Sequence, residues 1–103
     1  MRILNKLVRD NIPDIIRSQG QRPVTEILSE AAYKEALLKK LHEEVAEFTA
    51  DENVEELADI LEVIYALRDA LQVTHDVLES VRQNKAAERG AFRKKIFLLS
   101  VEE

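Results

Sequence analysis

The 103-residue chain contains no cysteine, which excludes a disulfide framework and any thiolate metal site. It has two glycines and two prolines, too few for a turn-rich β protein. No run approaches the roughly 20 apolar residues a membrane-spanning helix needs. The longest candidate, Ile60 to Leu67, is broken by Glu62. The first residues, Met1-Arg2-Ile3-Leu4-Asn5-Lys6, lack the continuous apolar core and small-residue cleavage site of a signal peptide, so a soluble cytoplasmic protein is expected. Basic excess is missing as well. Fifteen Lys and Arg against 20 Asp and Glu give a net charge of −5, which disfavours nucleic-acid binding unless the charges are segregated. With 46% apolar and 34% charged residues, the composition is that of a globular domain. The length fits a single domain over residues 1–103. A chain this short buries only about 60–70% of its unfolded surface, so association with further copies is a natural way to bury more.

The breakers cluster near the start (Pro13, Gly20, Pro23) and then recur only at Gly90. The periodicity between them predicts an all-α protein, a small bundle of about four helices. A short first helix is capped by Asp10 or Asn11, carries Pro13 in its first turn and ends at Gly20. Residues 21–28 read as an extended connection. A second helix runs from a Ser29 cap to about Thr49, with the stripe Leu37, Leu41, Val45, Phe48. A third spans about Asn53 to Gln72, with the stripe Val54, Leu57, Leu61, Ile64, Leu67, Leu71. A fourth covers about Thr74 to Arg89, using Val77, Leu78 and Val81. Residues 96–99 suit either a short strand or a last helical turn. Only a few residues join the second and third helices, so these should form a central antiparallel hairpin.

Charge is segregated. From Leu41 through Leu67 there is no Lys or Arg, yet the stretch holds nine acids: Glu43, Glu44, Glu47, Asp51, Glu52, Glu55, Glu56, Asp59 and Glu62. A solvated helix face normally mixes signs to gain i,i+4 pairs. Here the acids lack a partner within the stretch, so something outside it should neutralise them. At about 100° per residue, Glu44 falls beside the Leu37–Leu41–Phe48 stripe with Glu47 next to it, and Glu56 lies between the directions of Ile60 and Val63, with Asp59 following. The hairpin would bring these two i,i+3 pairs together. Four converging carboxylates do not all stay ionised at close range without a cation. Oxygen-only ligands favour Mg²⁺, or Mn²⁺, over Zn²⁺. The alternative is a solvated acidic face. His42 and His75 lack the partners of a zinc-protease or di-iron helix and read as surface or helix-end residues.

The following block has the opposite sign. Arg82, Lys85, Arg89, Arg93, Lys94 and Lys95 fall within fourteen residues, with Glu88 the lone acid. Lys85 and Arg89 share one helix face and, with Arg82, suit phosphate oxygens. Lys6 and Arg9 add two more bases. The alternative is that these bases salt-bridge the acidic hairpin or face solvent. A metal-binding acidic cluster and a basic stripe are together what phosphate-ester chemistry requires.

These motifs resemble a known family. Glu43-Glu44-x-x-Glu47 followed by Glu56-x-x-Asp59 is similar to the EExxE…ExxD signature of the all-α nucleoside triphosphate pyrophosphohydrolases. That superfamily includes MazG, dimeric dUTPases, dCTP pyrophosphatase and phosphoribosyl-ATP pyrophosphohydrolase. Lys6-Leu7-Val8-Arg9-Asp10-Asn11-Ile12-Pro13 resembles the KLVRDKIP of the phosphoribosyl-ATP pyrophosphohydrolase-like branch, Tyr33 to Leu41 its EYxxxLxxKL segment, and Lys85-x-x-x-Arg89-Gly90-x-Phe92 its KxxxRGxF end. The resemblance implies Mg²⁺-dependent cleavage of a nucleoside triphosphate between the α and β phosphates. It implies Glu44, Glu47, Glu56 and Asp59 as metal ligands, Glu43 as a residue that supports those ligands or orients water, Lys85 and Arg89 as phosphate contacts, and a homodimer or homotetramer. A house-cleaning enzyme is the first expectation; phosphoribosyl-ATP hydrolysis in histidine biosynthesis and a non-catalytic acidic interaction module are the alternatives. Asn11 stands where the branch has Lys and Ala91 where Gly is frequent. Only eight residues separate Glu47 from Glu56, fewer than in MazG, which leaves less wall for a base pocket.

Overall fold

A computed structural model describes residues 2–103. It contains four helices, α1 (Ile12–Ser18), α2 (Glu30–Asp51), α3 (Val54–Ala70) and α4 (His75–Arg89), and no strand among the described residues. The chain is a small all-α bundle, and the packing of α2 against α3 is its main tertiary contact. None of the helices is long and apolar enough to cross a membrane.

Local chemistry explains the helix ends. The Ser29 side chain accepts from the Ala32 amide (3.2 Å), Asn53 from the Glu56 amide (3.0 Å) and Thr74 from the Val77 amide (3.2 Å). Each satisfies one of the amides that a helix start leaves without an intrahelical partner. Asn11 precedes α1 without a side-chain cap, and Pro13 takes the first turn, where its missing N–H loses nothing. Gly90 closes α4 at φ 87°, a backbone setting that side-chain-bearing residues resist, and its amide donates to the Ala86 carbonyl (2.8 Å). The α2–α3 turn is only Glu52 and Asn53, with Glu52 in the left-handed region at φ 40°.

The face by which α3 packs differs from the expected stripe. Val63 is buried and Ile60, Ile64 and Leu67 are half-buried, whereas Val54, Leu57, Leu61 and Leu71 are exposed. On the α2 side Leu37 is 2% exposed, Leu41 and Phe48 are half-buried, and Val45 is exposed. The hairpin therefore closes along Leu37/Leu41/Phe48 and Ile60/Val63/Leu67, leaving Val54, Leu57 and Leu61 on the outer side of α3. The difference arises because apolar residues occupy two faces of α3, and only one meets α2.

α4 packs on the end of α3. Tyr65 and His75 stack edge to face (centroids 5.6 Å, 84°), and the Arg68 guanidinium lies 4.7 Å from the Tyr65 ring centroid and 3.2 Å from His75 Nδ1. His75 is thus a helix-end residue, as expected, and His42 is exposed. Residues 96–99 form neither the strand nor the helical turn expected of them. Leu37 and Val63 are the only buried hydrophobic residues among those described. The radius of gyration is 18.3 Å and the long dimension 63 Å, against about 13 Å for a compact domain of ~100 residues.

Candidate metal centre

The hairpin packing that buries Leu37 and Val63 also decides which acids meet. Glu44 lies about 20° around α2 from Leu37, and Glu56 about 20° around α3 from Val63. Both therefore point toward the opposite helix. Carboxylate oxygens of Glu44, Glu56 and Asp59 lie within 4.8 Å of one another, and so do those of Glu47, Asp51 and Glu56. Glu56 belongs to both groups. All four expected ligands are thus brought together, in two triads rather than one quartet. Asp51 joins them. In the sequence it reads as a turn residue, but α2 continues through it, and its i,i+4 relation to Glu47 is the signal that places it on the same face. Glu43 stands outside both triads and is exposed.

The electrostatics follow from this crowding. Partial burial, and then the charges of Glu47, Asp59, Asp51 and Glu44, push the Glu56 carboxyl above its ordinary value of 4.5. Two bases relieve part of the strain. Lys40 Nζ lies 3.3 Å from Glu44, with both side chains largely covered (18% and 13% exposed). Arg9 Nη2 donates to Asp59 at 2.6 Å. The expectation that neutralising groups come from outside Leu41–Leu67 holds for both, although Lys40 is only one residue beyond that stretch. It sits one helical turn before Glu44, so the absence of a local partner does not extend to Glu44. Arg9, from the segment before α1, follows the alternative reading of the bases, in which they pair with the hairpin.

The donor set suits a hard divalent cation. Every candidate donor is a carboxylate oxygen, and Mg²⁺–oxygen distances of about 2.0–2.1 Å put opposed oxygens about 4.2 Å apart. Small rotations of half-exposed side chains bring oxygens within 4.8 Å to that spacing. Lys40 and Arg9 hold two of these carboxylates and would have to yield them.

The basic residues go elsewhere. Arg82 is taken up by Glu79, to which it donates two hydrogen bonds (2.5 and 2.9 Å), and this holds the Glu79 carboxyl below its ordinary value. Lys85 and Arg89 make no ion pair among the described residues. With Arg82, Gly90 and Phe92 they line an open groove of about 470 Å³ that includes none of the clustered acids.

No family model matches the chain, and no solved structure matches it. An uncharacterized protein of Mycolicibacterium smegmatis is 53% identical over 45 residues, which are 44% of this chain and 46% of that protein. The chain therefore matches a little under half the length of this relative.

Proposed function

We propose that the chain is a Mg²⁺-dependent nucleoside triphosphate pyrophosphohydrolase, acting as a homo-oligomer on an NTP or dNTP to give the monophosphate and pyrophosphate. The observation that carries this reading is the convergence of Glu44, Glu56 and Asp59, from two antiparallel helices, on one oxygen-only cluster. The resemblance to the all-α pyrophosphohydrolases, through the acid pairs and the motifs flanking them, supports it. The reading is of the house-cleaning type; phosphoribosyl-ATP hydrolysis is the competing substrate assignment.

Glu44, Glu56 and Asp59 would hold one ion, and Glu47 and Asp51 would share Glu56 at a second position. When bound, Mg²⁺, or Mn²⁺, supplies charge neutralisation and polarisation at the phosphates. Glu43, beside Glu44 and open to solvent, would orient the attacking water. Water adds across the α–β anhydride, that bond breaks, and pyrophosphate leaves with the bonding electrons. Lys85 and Arg89 would stabilise charge on the polyphosphate. Because the groove they line holds none of the acids, a second copy is the natural source of a groove facing the hairpin.

The test is a panel of standard and modified nucleoside triphosphates with pyrophosphate detection in Mg²⁺. At least one nucleotide should yield pyrophosphate, and Glu56→Gln should lower that rate by about 100-fold or more. Release from none, or an active Glu56→Gln, overturns the reading. One observation favours a second class. Arg9 on Asp59 and Lys40 on Glu44 indicate that this face accepts basic groups, as the acidic surface of an interaction module would. A melting-temperature rise with Mg²⁺ that disappears in Glu44→Gln excludes that reading.

A further inference from the structure

The segment after α4 carries large apolar side chains that none of the described residues covers. Phe92, Ile96, Phe97, Leu98, Leu99 and Val101 are each 74–98% exposed. Scattered exposed apolar residues are ordinary; six within ten residues, in a chain whose buried core is Leu37 and Val63, are a surface awaiting a partner. Arg93, Lys94 and Lys95 lie within this run, and none makes an ion pair among the described residues.

The outer side of α3 is its complement. Val54, Leu57 and Leu61 repeat at i, i+3, i+7 on the side facing away from Val63 and are 45–76% exposed. Glu55 and Glu62 run along one flank of that stripe, also without an ion pair among the described residues. The dimensions agree: the stripe from Val54 to Leu61 rises about 10 Å, and residues 96–99, which lie in neither helix nor turn, span about 10 Å when extended.

We propose that residues 92–101 of one copy lie along the Val54–Leu57–Leu61 face of α3 in a second copy, with Arg93, Lys94 and Lys95 on that copy's Glu55 and Glu62, and that the exchange is reciprocal. A reciprocal exchange repeats the contact about a two-fold axis and closes at a dimer. It accounts for the extended 63 Å chain: the missing core is shared between copies. The inference rests on the homo-oligomeric part of the reading above and is independent of the activity.

Light scattering on the eluting full-length chain, with sedimentation equilibrium, tests it. The chain should be a dimer at micromolar concentration, and R93E/K94E/K95E should weaken dimerisation by about tenfold or more. E55K/E62K should do the same, and mixing the two variants should restore dimers of one chain each, because reversed arm then meets reversed face. All changed residues are exposed, and helical circular dichroism should be unaltered in each variant. A charge-reversed arm that dimerises as tightly as the parent overturns the arm exchange while leaving the oligomer standing. A parent chain that is monomeric throughout overturns both. A monomeric parent that co-sediments with vesicles containing anionic lipid assigns the segment to a membrane surface and also overturns the exchange.

Discussion

In the α2–α3 hairpin the clustered acids face another helix, whereas in α4 the bases Lys85 and Arg89 face an open groove. The two regions carry opposite charge in opposite surroundings. Glu44, Glu56 and Asp59 are drawn partly inward because they flank Leu37 and Val63, the residues that close the structure, while Glu47 and Asp51 stay exposed. Their repulsion is thus coupled to folding, and Lys40 and Arg9 are partners that limit it. The bases of α4 have no such coupling: that helix buries none of its residues. Loss of charge in the hairpin should therefore alter both stability and ion binding, and loss of the Lys85 and Arg89 charges should alter neither.

Leu37→Ala should break the hairpin side most severely. A truncation of this kind at a buried site costs about 2–5 kcal/mol, so thermal unfolding should shift down by about 10 °C or more. Next comes the response to metal. Saturating Mg²⁺, at about 100 times its dissociation constant, should stabilise the parent by about 2.7 kcal/mol. In Glu56→Gln this shift should collapse, while Lys85→Ala/Arg89→Ala should retain it in full; equal loss in both variants would erase the distinction between the regions. Smaller still is Asn53→Ala. It removes the cap on the Glu56 amide, which should cost about 1 kcal/mol and be visible as a melting temperature lower by about 4–8 °C.

The smallest effect is on pH. The folded-state carboxyl of Glu56 is raised above 4.5, so the folded chain holds its proton to higher pH than the unfolded chain does. Its contribution to stability is full below 4.5 and is lost as pH rises through the raised value. Without metal, chemical denaturation should show stability declining through that window, and Glu56→Gln should flatten the decline. Glu79 has the opposite sign, since Arg82 lowers it: its contribution is present above 4.5 and lost as pH falls through the lowered value.

The helix ends were legible because they depend on neighbours in sequence. Ser29 caps α2 as expected, and Asn53 and Thr74, at the expected starts of the third and fourth helices, cap them as well; the cap expected of Asp10 or Asn11 does not form, because Pro13 sets the first turn of α1. The convergence of Glu44, Glu47, Glu56 and Asp59 was legible from helical spacing and a short turn. The packed face of α3 was not. Val54, Leu57 and Leu61 are as apolar as Ile60, Val63 and Leu67, and only contact with α2 separates the two sets. Asp51 was obscured by its position at the end of α2, where an acid reads as part of a turn. Lys40 was missed because it lies just before the acid-only stretch.

The two-residue turn at Glu52 and Asn53 acts as a ruler for the whole centre. It fixes how far around its axis α3 is rotated when it begins. One residue added there would turn α3 by about 100°, carrying Glu56 away from Glu44 and bringing the Glu55–Glu62 side toward α2. Every candidate ligand would survive in the sequence, but neither group of three would stay together. The centre should therefore tolerate many substitutions in the turn, Glu52→Gly among them because glycine enters the left-handed region without penalty. It should tolerate no change in the turn's length, so in related chains the separation of the two acid pairs is a stricter signature of this centre than the identity of the residues between them.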